Sequence, residues 1–132
     1  MAVLFFSCQS EEKTALKTAQ SVIELSDNIK PNIYKPSWKN AQAEWEKTLR
    51  NTTEEKVVAK HLLTLSKHIN QDKISPKWEA MKFAWEADLT KAKNIYQVRY
   101  LIIEFEEYTR PAMKKSWEKD REKWFTTIDQ LR

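Results

Sequence analysis

The feature that most constrains the fold of this sequence is a pair of tryptophans, seven residues apart, which occurs three times and uses all six tryptophans of the chain. The first tryptophan recurs after 40 and then 39 residues, and an aliphatic residue follows each second tryptophan by four positions. The three sets are Trp38, Trp45 and Leu49, then Trp78, Trp85 and Leu89, and finally Trp117, Trp124 and Ile128. Such spacings place three side chains on one stripe of a helix. We interpret these residues as the repeated core of the fold.

The similarity between the three segments extends upstream of the tryptophans. Apolar residues align at five positions, four to nineteen residues before the first tryptophan of each pair. Sixteen residues before it stand Val22, Leu62 and Leu101. A period of this length indicates copies of one supersecondary unit that cannot bury its apolar face alone. The sequence therefore predicts a single domain, residues 14–132, that contains three copies of a unit of about 40 residues.

Each copy has the pattern of two helices separated by a proline-containing turn. The first helix carries apolar residues at helical spacing, and the second carries the tryptophan stripe. Pro31, Pro36, Pro76 and Pro111 fall between the two helices of a copy. The predicted fold is all-α, with six helices in three antiparallel hairpins that stack as a small solenoid or close into a bundle. The boundary near residues 90–94 is weak, and one long helix through it is the alternative.

The composition argues against other fold classes and against a nucleic-acid partner. Tight hairpin turns and phosphate-binding loops require glycine, and the 132-residue chain contains none. An all-β fold and a nucleotide site of the P-loop or Rossmann type are therefore strongly disfavoured. Basic residues outnumber acidic ones by only 23 to 19, and the two signs are interleaved along the chain. Since a nucleic-acid binder concentrates positive charge on one face or tail, no nucleic-acid partner is expected.

An apolar run directly precedes the only cysteine of the chain. Residues 3–6 are Val-Leu-Phe-Phe, Ser7 is small, Cys8 follows, and residues 9–13 are polar. The run is too short for a transmembrane helix, which needs about 20 apolar residues, and too short for a complete secretion signal. It has the form of the end of such a signal, so Met1 is expected to lie inside a longer one. A single cysteine allows no internal disulfide and no cysteine-based zinc site.

This segment resembles the lipobox of bacterial lipoproteins, and its Ser-Cys pair followed by acidic residues is similar to lipoproteins of the Bacteroidota. The resemblance implies that Cys8 is diacylated and becomes the mature N-terminus. Residues 1–8 are then the remnant of the signal peptide, and residues 9–13 are a short polar tether. The resemblance also implies that Glu11 and Glu12 act as an export signal for display at the cell surface. The alternative is that Cys8 is an ordinary buried thiol.

The tryptophans and histidines each have a structural interpretation. Tryptophans can form a surface ladder for glycans or peptides, but their place on the apolar stripe favours core packing. His61 and His68 are seven residues apart, whereas metal-binding pairs on a helix are usually three or four apart. We therefore expect no metal site and no cofactor.

The abundant carboxylates do not form a recognisable catalytic set. Glu104, Glu106 and Glu107 lie close together, but no glutamate has a histidine three residues later, as di-iron bundles require. The run from Lys115 to Trp124 alternates acidic and basic residues, and we interpret it as a solvated helix face. No Ser, Cys or Thr has an identifiable base and orienting acid. The sequence therefore predicts no catalytic residue and no enzyme activity.

The sequence as a whole predicts a membrane-anchored envelope lipoprotein with a non-catalytic helical domain that binds or scaffolds another macromolecule. The expected partners are the lipid bilayer, through acylated Cys8, and an unidentified protein or envelope polymer. The expected location is the bacterial outer membrane, on its periplasmic or its exposed side. One alternative is a soluble periplasmic chaperone-like or accessory subunit that holds polypeptide clients on exposed tryptophans. Another is a cytoplasmic helical adaptor whose N-terminus is merely apolar.

Overall fold

The computed structural model of the chain describes the backbone of residues 2–130 and the side chains of residues 11–129. Within that part of the chain the fold is all-α, with six α-helices and no β-strand. The helices are α1 Ala2–Asp27, α2 Ser37–Arg50, α3 Glu55–Lys67, α4 Lys77–Lys91, α5 Ile95–Thr109 and α6 Trp117–Gln130. Short 3-10 helices join α1 to α2, α3 to α4 and α5 to α6, over Pro31–Ile33, Gln71–Lys73 and Arg110–Ala112. The prediction of an all-α fold with six helices is confirmed.

Proline and side-chain capping set several of the helix boundaries. Pro31 begins the first 3-10 helix, and Pro36 and Pro76 directly precede α2 and α4. Proline suits these places because its fixed φ is helical and because the first turn of a helix needs no N–H donor. Asn94 caps α5, since its side chain accepts a hydrogen bond from the backbone N–H of Gln97 at 3.0 Å. α4 and α5 are therefore separate helices, and the alternative of one long helix is wrong.

The helices form three consecutive pairs, α1 with α2, α3 with α4 and α5 with α6, and the two helices of each pair contribute differently to the core. α3 packs against both α1 and α5, and these three helices bury side chains on more than one face. Among the described side chains, α2, α4 and α6 bury only the tryptophan stripe. Each residue of that stripe is 5% exposed or less: Trp38, Trp45, Leu49, Trp78, Trp85, Leu89, Trp117, Trp124 and Ile128. The tryptophans are therefore core residues and do not form a surface ladder.

The contacts between helix pairs follow one order and close on themselves. Among the described residues, three indole N–H groups donate to a backbone carbonyl of the next pair: Trp45 to His61 at 2.9 Å, Trp85 to Leu101 at 2.8 Å, and Trp124 to Ser21 at 2.9 Å. Backbone N–H groups of the turns do the same: Lys35 to His68 at 2.7 Å, Ser75 to Tyr108 at 2.8 Å, and Lys114 to Asn28 at 2.7 Å. In both sets the third hydrogen bond joins the third helix pair to the first pair. The contacts therefore favour the closed bundle over the open solenoid.

Candidate functional site

The residues predicted to anchor and export the protein lie at the start of α1. Cys8 is outside the residues whose side chains the structure describes. Helix α1 begins at Ala2, so the backbone of the predicted tether, residues 9–13, belongs to the helix that enters the bundle. Glu11 and Glu12 are exposed. No helix in the described part of the chain has both the length and the apolar character needed to cross a bilayer. Lipidation and the export signal remain predictions.

A charged cluster that the sequence interpretation missed lies between α1, α3 and α5. Glu55 is 1% exposed and Arg99 is 3% exposed. The Nη2 atom of Arg99 lies 3.4 Å from Oε1 of Glu55, and the hydroxyl of Thr18 donates to the same oxygen at 2.9 Å. Within the described residues, Glu55 Oε2 and Arg99 Nε and Nη1 have no hydrogen-bond partner. Buried charges persist only when they are paired, so this cluster joins the three inner helices at one level of the bundle.

A second buried carboxylate belongs to Glu106, which is 0% exposed and is bound by α6. The indole N–H of Trp117 donates to Oε2 of Glu106 at 2.8 Å. Arg121 donates from Nε to the same oxygen at 3.1 Å and from Nη2 to Oε1 at 3.3 Å. We call these three residues the carboxylate clamp. The hydrogen bond to Glu106 raises the pKa of Arg121, so the guanidinium stays charged.

The clamp corrects the interpretation of residues 115–124 as a solvated face. Arg121 is only partly exposed, because its guanidinium binds Glu106 and lies over the ring of Phe125, 4.4 Å from the ring centroid. The alternating charges around it, on Glu118, Lys119 and other neighbours, do remain exposed. The interpretation is therefore wrong for Arg121, which binds the buried carboxylate of Glu106.

A groove with a volume of about 480 Å³ opens between α3 and α4, and we call it the Trp78 groove. Leu63 and Ser66 line it from α3, and Trp78, Lys82 and Phe83 line it from α4. Trp78 is 1% exposed, and its Nε1 has no hydrogen-bond partner in the described part of the chain. Phe83 is 72% exposed, more than any other large apolar side chain described. An unpaired buried donor costs free energy, so this groove is the best candidate for a binding site.

The mouth of the groove carries charges of both signs. Lys35, Lys67 and Lys82 contribute three ammonium groups, and Glu79 and Glu86 contribute two carboxylates. The Nζ atom of Lys82 lies 2.8 Å from Oε2 of Glu79, and the two side chains are 33% and 55% exposed. Exposed pairs of this kind contribute about 0–1 kcal/mol. Lys82 is therefore held only weakly in its present position.

The two histidines make local contacts. The Nδ1 atom of His61 lies 2.7 Å from the carbonyl oxygen of Val57, one turn earlier in α3. The Nδ1 atom of His68, the residue that follows the end of α3, lies 2.8 Å from the hydroxyl oxygen of Ser37. Among the residues that the structure describes, no group of three or more His, Cys, Asp or Glu side chains is placed to hold a metal ion. His61 therefore contacts the backbone of its own helix, and His68 contacts the start of α2 in the first pair.

The search for similar proteins found none. No family model matches the chain, and neither a curated protein nor a solved structure matches it. What supports a function is therefore the N-terminal sequence, the clamp and the Trp78 groove.

Proposed function

We propose that the protein is a non-catalytic binding module that a lipid on Cys8 holds at the bacterial outer membrane. The order of residues 3–8 supports the anchor, because an apolar run and a small serine precede the cysteine, as in a lipobox. Phe5 and Phe6 depart from the pattern, which favours Leu and a smaller residue at these two positions. A diacylglycerol and an amide-linked acyl chain bury many more CH₂ groups than one myristoyl chain, at about 0.8 kcal/mol each, so such an anchor is stable. Glu11 and Glu12 are exposed and accessible to an export machinery.

The observation that carries the binding role is the buried indole N–H of Trp78, which has no acceptor among the described residues and belongs to a residue that lines the groove between α3 and α4. A folded protein pairs nearly all of its buried donors, so a donor without an acceptor in a groove indicates a place for a partner. The chaperone-like alternative relies on exposed tryptophans, and all six are buried. A defined groove therefore supports recognition of a specific partner better than it supports holding of many unfolded clients.

The anchor is tested by metabolic labelling with palmitate in a Gram-negative host that expresses the gene with its native upstream codons. We expect the label on the protein and the protein in the outer-membrane fraction, because acyl transfer requires the thiol of Cys8. The matched control is Cys8→Ala, which we expect to carry no label and to leave the membrane fraction. An unlabelled protein with Cys8 intact, or equal labelling of the two variants, would contradict the anchor.

A further inference from the structure

The third helix pair carries its own carboxylate at the place where the second pair carries a groove. In α5 and α6, the carboxylate of Glu106 accepts hydrogen bonds from Trp117 at 2.8 Å and from Arg121 at 3.1 Å. The carbonyls that accept from the indoles belong to His61 of α3 and Leu101 of α5, forty residues apart, so Glu106 corresponds to Ser66 in the structure. Trp117 and Arg121 correspond to Trp78 and Lys82, 39 residues earlier, so α5 is shifted by one residue against the register of the tryptophans. In both pairs the tryptophan and the cation are four residues apart on one helix, so they lie on the same face. The second pair therefore retains the donors of the clamp and lacks its acceptor.

The serine does not replace the missing carboxylate. The hydroxyl of Ser66 donates to the carbonyl of Leu63 at 2.8 Å, and within the described residues the Nε1 atom of Trp78 has no partner. Lys82, at the place of the clamp arginine, pairs with Glu79 on the exposed side of α4. Because exposed ion pairs contribute little to stability, Lys82 can exchange Glu79 for another anion at small cost.

We propose that the Trp78 groove binds a carboxylate side chain of an acidic polypeptide, at the place that Glu106 occupies in the third pair. The Nε1 atom of Trp78 and the Nζ atom of Lys82 donate to the carboxylate oxygens, as Trp117 and Arg121 do to Glu106. Hydrogen bonds to an ionised acceptor are stronger than neutral ones, and the buried indole gives this one a dry environment. The inference rests on the proposed binding function and specifies the chemistry of the partner.

The surroundings of the groove favour a polypeptide as the source of the carboxylate. Three lysines and two glutamates line its mouth. The resulting excess of one positive charge attracts an acidic segment. The exposed ring of Phe83 and the side chain of Leu63 provide apolar contact for the methylene groups and flanking residues of a peptide. A groove of about 480 Å³ admits one such side chain with part of its backbone.

The test is a titration of the ¹⁵N-labelled protein with a peptide of alternating Glu and Leu, acetylated and amidated so that only side chains carry charge. The readout is the indole N–H resonance of Trp78. We expect a progressive shift of this resonance with the Glu peptide and no shift with the matched Gln peptide, because an amide oxygen lacks the charge that draws Lys82 into the site. The absence of a shift with the Glu peptide, or equal shifts with both peptides, would overturn the proposal.

Two variants and one matched control make the test specific to the groove. Ser66→Glu supplies an internal carboxylate, as in the third pair, and we expect it to weaken binding of the Glu peptide by at least about tenfold. Ser66→Ala is the matched control, and we expect it to bind as the wild type does. Lys82→Gln changes a partly exposed residue that the fold does not need, and we expect several-fold weaker binding. Undiminished binding by both Ser66→Glu and Lys82→Gln would overturn the site.

The two proposals fail separately. A protein that carries the lipid label on Cys8 and gives no response at Trp78 retains the anchor and loses the carboxylate site. A protein that responds at Trp78 and carries no label retains the carboxylate site and loses the anchor. The labelling therefore tests the membrane location, and the titration tests the chemistry of the partner, each independently of the other.

Discussion

Replacement of Trp85 by alanine is expected to lower the free energy of unfolding by about 3–5 kcal/mol. Trp85 is 1% exposed, and its indole N–H donates to the carbonyl of Leu101 at 2.8 Å. The rings of Trp78 and Phe105 pack against it, with centroids 5.8 and 6.1 Å away. The substitution therefore leaves a large cavity and removes a hydrogen bond between the second and third pairs. Urea denaturation followed by circular dichroism measures the change.

The matched control for this change is Phe83→Ala, two residues earlier on the same helix. Phe83 is 72% exposed, so its removal creates no cavity, and we expect a change within about 0.5 kcal/mol. The contrast separates burial from helix propensity, because both substitutions replace an aromatic residue by alanine in α4. Equal stability of the two variants would mean that Trp85 is not part of a packed core.

The second large effect is expected for Glu55→Ala, which should lower the free energy of unfolding by about 3–5 kcal/mol. The substitution leaves the guanidinium of Arg99, only 3% exposed, without its carboxylate inside the bundle. It also removes the acceptor of the Thr18 hydroxyl, which lies 2.9 Å from Glu55 Oε1. The same denaturation experiment measures the loss.

A double variant, Glu55→Met with Arg99→Met, separates loss of the pair from isolation of one charge. Replacement of a buried ion pair by apolar side chains of similar volume is often neutral or stabilising. We therefore expect the double variant to regain most of the stability that Glu55→Ala loses. A double variant as unstable as Glu55→Ala would show that the isolated Arg99 charge is not the cause of the loss.

The helices and the tryptophan core were predictable because they depend on local patterns. The spacing of Trp38, Trp45 and Leu49, and of the two later sets, fixes which face of a helix is apolar regardless of what covers it. Proline marked the break between the two helices of each pair for an equally local reason. The closure of the bundle was not predictable, because it depends on contacts such as that between Trp124 and Ser21, which are 103 residues apart in the chain.

The buried charges stand out from the sequence only in the register of the first helices that the structure shows. The register of the tryptophans aligns Arg99 with Gln20 and Lys60. The register of the indole acceptors, with forty residues between successive first helices, instead places Ala15 and Ile95 at the position of Glu55, and Ala19 and Ala59 at that of Arg99. A charged residue at a position that is apolar in the other copies indicates a buried pair, provided that a partner of opposite sign lies nearby. Sequence spacing does not reveal that partner, because the two residues are on different helices.

The candidate site required side-chain geometry. Glu106 corresponds to Ser26 and Ser66 in the register of the indole acceptors, whereas the register of the tryptophans aligns it with Asp27 and Lys67. The sequence alone therefore does not single out Glu106. It does not show that the indole of Trp117 points at the carboxylate, or that the indole of Trp78 has no acceptor within the described residues. The charge of Arg121 suggested a solvated position, whereas in the structure its guanidinium binds the buried carboxylate of Glu106.

The central claim is that the three helix pairs close on themselves, and nuclear Overhauser contacts of the indole N–H protons test it most directly. The account predicts three contacts in one spectrum, from Trp45 to His61, from Trp85 to Leu101 and from Trp124 to Ser21, each with slow exchange of the indole proton. The last contact decides between a closed bundle and an open stack. Rapid exchange of the Trp124 indole proton with water, without a contact to α1, would contradict the account.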